Sequence, residues 1–99
     1  MNNAETISWI YLAIAISSEK EPVSFAGISQ VADGINHAIP TQTEMQNSIA
    51  WLTNKKLILK TMNKYSLSEL GKEIYATSRN INGLMDMWKN LEMKISKLM

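Results

Sequence analysis

Residues 52–75 constrain the fold of this chain more than any other segment. They read LTNKKLILKTMNKYSLSELGKEIY. A helical, apolar stretch ends near Leu52, and the apolar run at residues 57–59 follows it. A polar break at residues 63–64 and a helix-start signal at Ser68 come next. This order predicts a helix, a strand, a tight turn, a second strand and another helix in close succession. Few small folds place a short hairpin directly between two helices.

The composition is that of one ordered domain. The chain has 99 residues, 45% of them apolar, which is enough for a single core and argues against disorder. The formal net charge is only +1, so any affinity for nucleic acid depends on how the charges are distributed. The absence of cysteine excludes disulfides and thiolate metal sites. The same absence fits a reducing cytoplasm, where we expect the protein to be. The apolar stretch at residues 7–16 is too short to span a bilayer, so we expect a buried helix there and no membrane partner.

The first two helices are predicted from apolar spacing and caps. A first helix over residues 4–17 has apolar residues at helical spacing and also at neighbouring positions. We therefore expect it to be covered on more than one side, by its own chain or by a second subunit. A polar connection over residues 18–23 follows. Ser24 is the predicted cap of a second helix, which ends near Gly34.

A capping box marks the start of the third helix. Thr41 is the cap, and Glu44 completes the box three residues on. Met45, Ile49 and Leu52 then define the buried face of this helix. Together with the preceding helix and the short turn between them, it forms a predicted helix-turn-helix unit.

Two strands follow the third helix, at about residues 57–61 and Lys64–Leu67. The connection at residues 62–64 is a tight turn, in which Asn63 tolerates a positive φ. Ser68 is the predicted cap of a fourth helix.

In the C-terminal third, nine positions recur at alternating spacings of four and three, and all of them but Thr77 are apolar. The positions are Leu70, Ile74, Thr77, Ile81, Leu84, Trp88, Leu91, Ile95 and Leu98. Such a period of about 3.5 residues indicates a coiled-coil seam. The seam would pair with a second copy of the chain or fold back over the chain's own first helix. Asn80, Asn82 and Gly83 interrupt the helix propensity, so we predict a break or kink there.

These features resemble the winged helix-turn-helix of small transcriptional regulators. The resemblance is carried by Leu52, the pair Leu57-Ile58, the run Lys64-Tyr65-Ser66-Leu67-Ser68, and Gly71. It is a resemblance to PadR-like and MarR-like regulators and to archaeal winged-helix proteins with a C-terminal coiled coil. It implies a mainly α fold with a small β-hairpin, the wing. The winged helix-turn-helix domain would cover residues 1–79, and a dimerisation helix in the same compact unit would cover residues 80–99.

The resemblance implies a homodimeric regulator with double-stranded DNA as its partner. Glutamine and asparagine can hydrogen-bond adenine in the major groove, and lysine can contact phosphate. The predicted DNA-binding residues are Thr41, Gln42, Thr43, Gln46, Asn47, Lys55, Lys56, Lys60, Asn63 and Lys64. The predicted dimer-interface residues are Leu84, Trp88, Leu91, Ile95 and Leu98. The alternative for the first set is an ordinary solvated surface.

Two features depart from the family pattern. Lys56 stands where these families commonly have glycine before the leucine–isoleucine pair, so we expect a strained or differently built helix exit. The third helix also has no arginine, so the charge for phosphate contact must come from the lysines of the helix exit and wing.

Other functions have weaker support in the sequence. The low net charge and the arginine-free third helix favour, as an alternative, a winged helix used as a protein-interaction or assembly module without DNA binding. Trp9, Trp51 and Trp88 stand at core-like or seam positions, and the alternative for them is an aromatic effector held between the first and last helices. There is no glycine-rich phosphate loop and no nucleophile elbow, and His37 is the single histidine. We therefore expect no enzyme, no cofactor and no metal.

Overall fold

The computed structural model describes residues 2–79 and 82–99, in which five helices and three short strands form. In chain order these are α1 (Asn3–Ser17), β1 (Val23–Ser24), α2 (Phe25–Asn36), α3 (Gln42–Asn54), β2 (Ile58–Thr61), β3 (Lys64–Leu67), α4 (Glu69–Ser78) and α5 (Leu84–Leu98). The predicted class is confirmed: the fold is mainly helical, with a small hairpin between helices. No helix in these residues is long and apolar enough to cross a membrane.

Helix α1 lies at the centre of the molecule. Its residues from Ile7 to Ala15 are all buried, because α2, α3 and α5 pack around it. The expected covering on more than one side is confirmed, and the described chain itself supplies it. Tyr11 is fully buried, and its hydroxyl donates a hydrogen bond to the carbonyl oxygen of Gly71 at 2.5 Å. Burial raises the pKa of Tyr11. The bond ties α1 directly to α4.

The predicted capping box of α3 is confirmed. The Glu44 amide donates to Thr41 Oγ1 at 3.0 Å, and the Thr41 amide donates to Glu44 Oε1 at 2.9 Å. These two bonds satisfy amides that would otherwise lack a partner at the helix start. Met45, Ile49 and Leu52 face the core as predicted. The box therefore fixes where α3 begins and, through the helical period, which of its side chains face outward.

The exit of α3 adopts a left-handed turn without glycine. Lys56 has φ 62°. Its amide donates to the Thr53 carbonyl at 3.0 Å, and the Leu57 amide donates to the Leu52 carbonyl at 3.0 Å. This is the Schellman pattern, and Leu52 and Leu57 are both fully buried beside it. The expected strain is present, because a lysine in this conformation costs roughly 1 kcal/mol.

The three strands form an antiparallel sheet in the order β1-β3-β2. Met62 and Asn63 connect β2 to β3, and both have positive φ, 51° and 65°, as a type I′ hairpin turn requires. Strand β1 was not predicted, because a two-residue strand leaves no periodic signal. Val23 pairs with Tyr65 and so joins the chain before α2 to the hairpin.

Gly71 is required where α4 passes the hairpin. A Cβ at this position would collide with the backbone carbonyl oxygen of Leu57. The Ser68 hydroxyl caps α4 by accepting from the Gly71 amide at 3.0 Å, and it donates to the Lys56 carbonyl at 2.6 Å. The serine and glycine of the motif therefore hold the end of α3, the hairpin and the start of α4 together.

The predicted break after α4 is confirmed. Helix α4 ends at Ser78 and α5 begins at Leu84, with Gly83 at φ 118° as its N-cap. Asn80 and Ile81, which the predicted break and seam also included, lie outside the described residues. The break allows α5 to turn back onto the rest of the domain.

The structure places the middle of the predicted seam within one chain. Trp88, Leu91 and Ile95 were predicted to face a second copy, but they are buried in the core that α1 and α5 share. The Trp88 indole N–H lies 3.0 Å from both Ser8 Oγ and the Glu5 carbonyl oxygen. The ring of Trp88 also stacks on Trp9, with centroids 6.1 Å apart. This is the alternative in which the segment folds back over the first helix.

Candidate nucleic-acid interface

The outward face of α3 carries uncharged hydrogen-bonding side chains. Gln42, Thr43, Gln46 and Asn47 are all exposed, and they alternate with the buried residues of the same helix. No lysine, arginine or aspartate interrupts them, and the carboxylate of Glu44 turns back to the helix start. This face can therefore donate and accept hydrogen bonds, but it has little charge of its own.

Four lysines follow this face at the exit of α3 and on the hairpin. Lys55, Lys56, Lys60 and Lys64 are all exposed. Within residues 2–79 and 82–99 the one ion pair is Lys72 with Glu69, at 3.6 Å. The four lysines consequently have no carboxylate partner in the described chain, and they remain available to an anion.

Two of these lysines are oriented by aromatic rings. Lys55 Nζ lies 5.7 Å from the ring centroid of Trp51, and Lys60 Nζ lies 5.8 Å from that of Tyr65. Such cation–π contacts contribute roughly 0.5–1 kcal/mol at exposed sites. They restrict the lysine side chains while leaving the charges in solvent.

The charge of the chain is distributed unevenly despite its sum of +1. Residues 41–64 contain four lysines and one glutamate, a net charge of +3. Residues 1–40 contain one lysine and four acidic residues, a net charge of −3. Residues 65–99 contain five basic and four acidic residues, a net charge of +1. The positive charge is therefore concentrated on the segment that contains α3 and the hairpin.

All ten residues predicted to bind DNA are exposed, and they fall into two adjoining groups. The uncharged group lies at the start and on the outer face of α3, and the charged group lies at its exit and on the hairpin. Asn63 occupies the hairpin turn. The Schellman turn fixes the hairpin relative to α3. Only three residues separate the end of α3 from the start of β2, and backbone hydrogen bonds to α3 hold all three.

A groove beside α3 was missed by sequence reasoning. It has a volume of about 840 Å³ and lies between the start of α1, α3 and the C-terminal Met99. Asn47, Trp51 and Asn54 form its α3 wall. Asn47 therefore borders both the groove and the outer face of α3. No local pattern predicts this groove, because its walls come from three distant parts of the chain.

Two of the three tryptophans that could have held an aromatic effector lie in the core. Trp9 and Trp88 stack between α1 and α5, where the sequence suggested a ligand.

A different groove, of about 560 Å³, lies between the end of α1 and α4. Tyr75 lines it, and burial raises the pKa of this tyrosine, opposed by the nearby Arg79 and reinforced by Glu19. Arg79 lies over the Tyr75 ring at 6.0 Å.

Metal ligands do not converge in the described residues, where no group of three or more His, Asp or Glu side chains forms. His37 is exposed in the turn between α2 and α3, with a left-handed φ of 55°.

No protein-family model, curated protein or solved structure matches this chain.

Proposed function

We propose that this chain is a winged helix-turn-helix DNA-binding protein that regulates transcription. One observation carries the proposal: an exposed face of amide and hydroxyl side chains on a firmly capped helix adjoins a hairpin whose lysines have no carboxylate partner in the described chain. In this proposal α2 and α3 are the helix-turn-helix, the β2–β3 hairpin is the wing, and α3 is the recognition helix.

The recognition helix would enter the major groove with its amide face toward the bases. Gln46 and Asn47 suit adenine, which presents one acceptor and one donor on its groove edge. Each good bidentate pair discriminates against the wrong base by roughly 1–3 kcal/mol. The lysines of the α3 exit and wing would contact phosphates, and these contacts would provide the sequence-independent part of the affinity.

A salt titration on duplex DNA of random sequence tests the proposal. If about three lysines per subunit contact phosphates, the logarithm of the binding constant should fall with the logarithm of salt at a slope of roughly −5 for a dimer. Mass measured in solution, with and without DNA, gives the subunit count. Absence of binding at low salt would contradict the proposal and favour the alternative, a protein-interaction module that uses the arginine-free face of α3.

Replacing Gln46 and Asn47 by alanine should separate sequence readout from phosphate contact. We expect affinity for a selected preferred sequence to fall by roughly tenfold to a hundredfold, because base contacts are lost. Affinity for random DNA should change little, because the lysines remain. Both can be measured by fluorescence anisotropy at one salt concentration. Equal losses on the two kinds of DNA would argue against base readout.

We propose further that the protein binds DNA as a homodimer through the two exposed ends of the apolar stripe of α5. Leu84 and Leu98 are the first and last residues of the predicted dimer interface, and they remain 43% and 41% exposed. They are separated by 14 residues, close to four helical turns, so they lie on the same side of α5 as the buried Trp88, Leu91 and Ile95, at the two ends of that stripe. Met85, on the same helix, is 57% exposed. This surface is smaller than the predicted seam, because Trp88, Leu91 and Ile95 lie in the core of the chain itself.

Glutamate at both Leu84 and Leu98 should dissociate such a dimer without unfolding the subunit. We expect a monomer in sedimentation and a loss of DNA affinity of roughly tenfold or more, since linked binding of two half-sites is lost. Ser96→Glu is the control, because it adds a charge to α5 without removing an apolar group. A wild-type protein that remains a monomer while saturating DNA would overturn the homodimer.

A further inference from the structure

Met62, at the tip of the hairpin, is unfavourable for folding in two ways. Its side chain is 91% exposed, the highest value among the exposed large apolar residues of the described chain. Its φ of 51° is a left-handed value at the first central position of a type I′ turn. Asparagine, aspartate and glycine are favoured there, and an unbranched side chain such as methionine gains nothing in return. Asn63, the second turn residue, is by contrast well suited to its φ of 65°.

The surroundings of Met62 are cationic. Thr61 pairs with Lys64 across the turn, and Lys60 lies one position further down β2. Both lysines are exposed, and no aspartate or glutamate occurs from residue 56 to residue 68. The tip therefore presents one flexible apolar side chain beside two positive charges that have no carboxylate partner in the described chain.

The minor groove of DNA matches this arrangement. Phosphates line both of its edges, and its floor consists of stacked bases between which proteins insert single apolar side chains, including methionine. One base step accepts one side chain. A protein surface or a membrane requires a wider apolar area or an amphipathic helix, and Met62 offers neither. Its neighbours in the turn, Thr61 and Asn63, are polar.

We propose that Met62 is a wedge that inserts between base pairs in the minor groove and kinks the duplex. The inference rests on the proposed DNA binding and adds to it a deformation of the DNA and a source of sequence preference. Pyrimidine–purine steps such as TA unstack most easily, so the wedge should favour sites with such a step where the hairpin lies. That preference would be independent of the contacts made by Gln46 and Asn47.

Three variants test the wedge. Met62→Asn places a residue that tolerates left-handed φ in the turn and removes the apolar side chain. Met62→Leu keeps an apolar side chain of similar volume. Met93→Asn is the matched control, because Met93 is 61% exposed on α5, away from the hairpin. Bending is measured by energy transfer between the ends of a short duplex, and unstacking by 2-aminopurine fluorescence at a central TA step.

We expect the wild type and Met62→Leu to bend the duplex by roughly 20–90° and to raise the 2-aminopurine signal. Met62→Asn should lose both effects and bind the TA duplex roughly tenfold more weakly. Its melting temperature should rise, because asparagine relieves the turn. Met93→Asn should behave as the wild type on DNA. Thermal unfolding of each variant separates loss of wedging from loss of fold.

The outcomes distinguish the wedge from the proposed function. Failure of the wild type to bind DNA at low salt would overturn both. DNA binding by the wild type with no bending, or equal bending by Met62→Asn, would overturn the wedge and leave DNA binding standing. Vesicles of anionic lipid provide the remaining comparison. If they bind the wild type but not Met62→Asn, while DNA bending by the two is equal, the apolar tip serves a lipid surface and the wedge is overturned.

Discussion

Trp88→Ala is expected to lower the free energy of unfolding by about 3–5 kcal/mol, the usual cost of truncating a buried tryptophan. The Trp88 side chain is only 7% exposed and stacks on Trp9. Its indole N–H also bonds to Ser8 Oγ and to the Glu5 carbonyl oxygen, both on α1. Removing it would open a cavity between α1 and α5. Since small domains have roughly 5–15 kcal/mol of total stability, much of the protein would be unfolded or close to unfolding.

Chemical denaturation followed by circular dichroism measures this change. Leu84→Ala is the matched control, because Leu84 belongs to the same 4-3 repeat but is 43% exposed, and we expect it to change stability by less than about 1 kcal/mol. Sedimentation of both variants addresses the role first predicted for Trp88. A folded Trp88→Ala protein with near-normal stability and a lost dimer would show that the tryptophan faces a second copy.

The caps and turns of this fold were predictable because their chemistry is local. Thr41 and Glu44 satisfy each other's backbone amides within one helical turn, so four consecutive residues contain the whole signal. The hairpin turn was predicted on the same basis, from a polar break with an asparagine between two apolar runs. Lys56 is an exception to these local rules, which expect glycine at a left-handed helix exit. The left-handed turn that glycine normally supplies forms with lysine, because the buried leucines on either side stabilise it.

The partner of the C-terminal repeat was not predictable from spacing alone. A 4-3 repeat predicts that one side of a helix is buried, but it does not identify the surface that packs against that side. The partner is determined by α1, because its apolar residues lie all around the helix and must be buried on several sides. The break before α5 lets Trp88, Leu91 and Ile95 supply part of that covering, together with α2 and α3. The apolar surface of α1 and the apolar stripe of α5 therefore pack against each other.

The sequence predicted which residues form the candidate site, but it did not predict the groove and the charges around them. Exposure of Gln46 and Asn47 follows from the helical period once Met45 and Ile49 are placed in the core. The groove beside α3 and the absence of carboxylates next to these lysines in the described chain depend instead on how distant segments pack. The contrast between the acidic first 40 residues and the basic segment of α3 and the hairpin was present in the sequence, but the net charge of +1 concealed it.

Lys60→Glu with Lys64→Glu is expected to weaken binding to all DNA sequences by roughly a hundredfold or more at low salt. Both lysines are exposed on the hairpin without a carboxylate partner in the described chain. Reversal would remove two phosphate contacts per subunit and set two carboxylates against the phosphate backbone. The salt slope should become less steep by roughly two per subunit, because fewer counterions are released. Anisotropy titrations at several salt concentrations measure both quantities.

The matched control is Lys89→Glu with Lys97→Glu, two exposed positions on α5. Each replacement removes one positive charge and adds one negative charge, so both double variants change the net charge from +1 to −3. If total charge governed binding, the two variants would lose affinity equally. If the hairpin contacts phosphates, the α5 variant should keep most of its affinity and a nearly unchanged salt slope, because its charges lie outside the contact. Equal losses, or an unchanged affinity of the hairpin variant, would remove the hairpin from the DNA-binding surface and leave the amide face of α3 without the charge it requires.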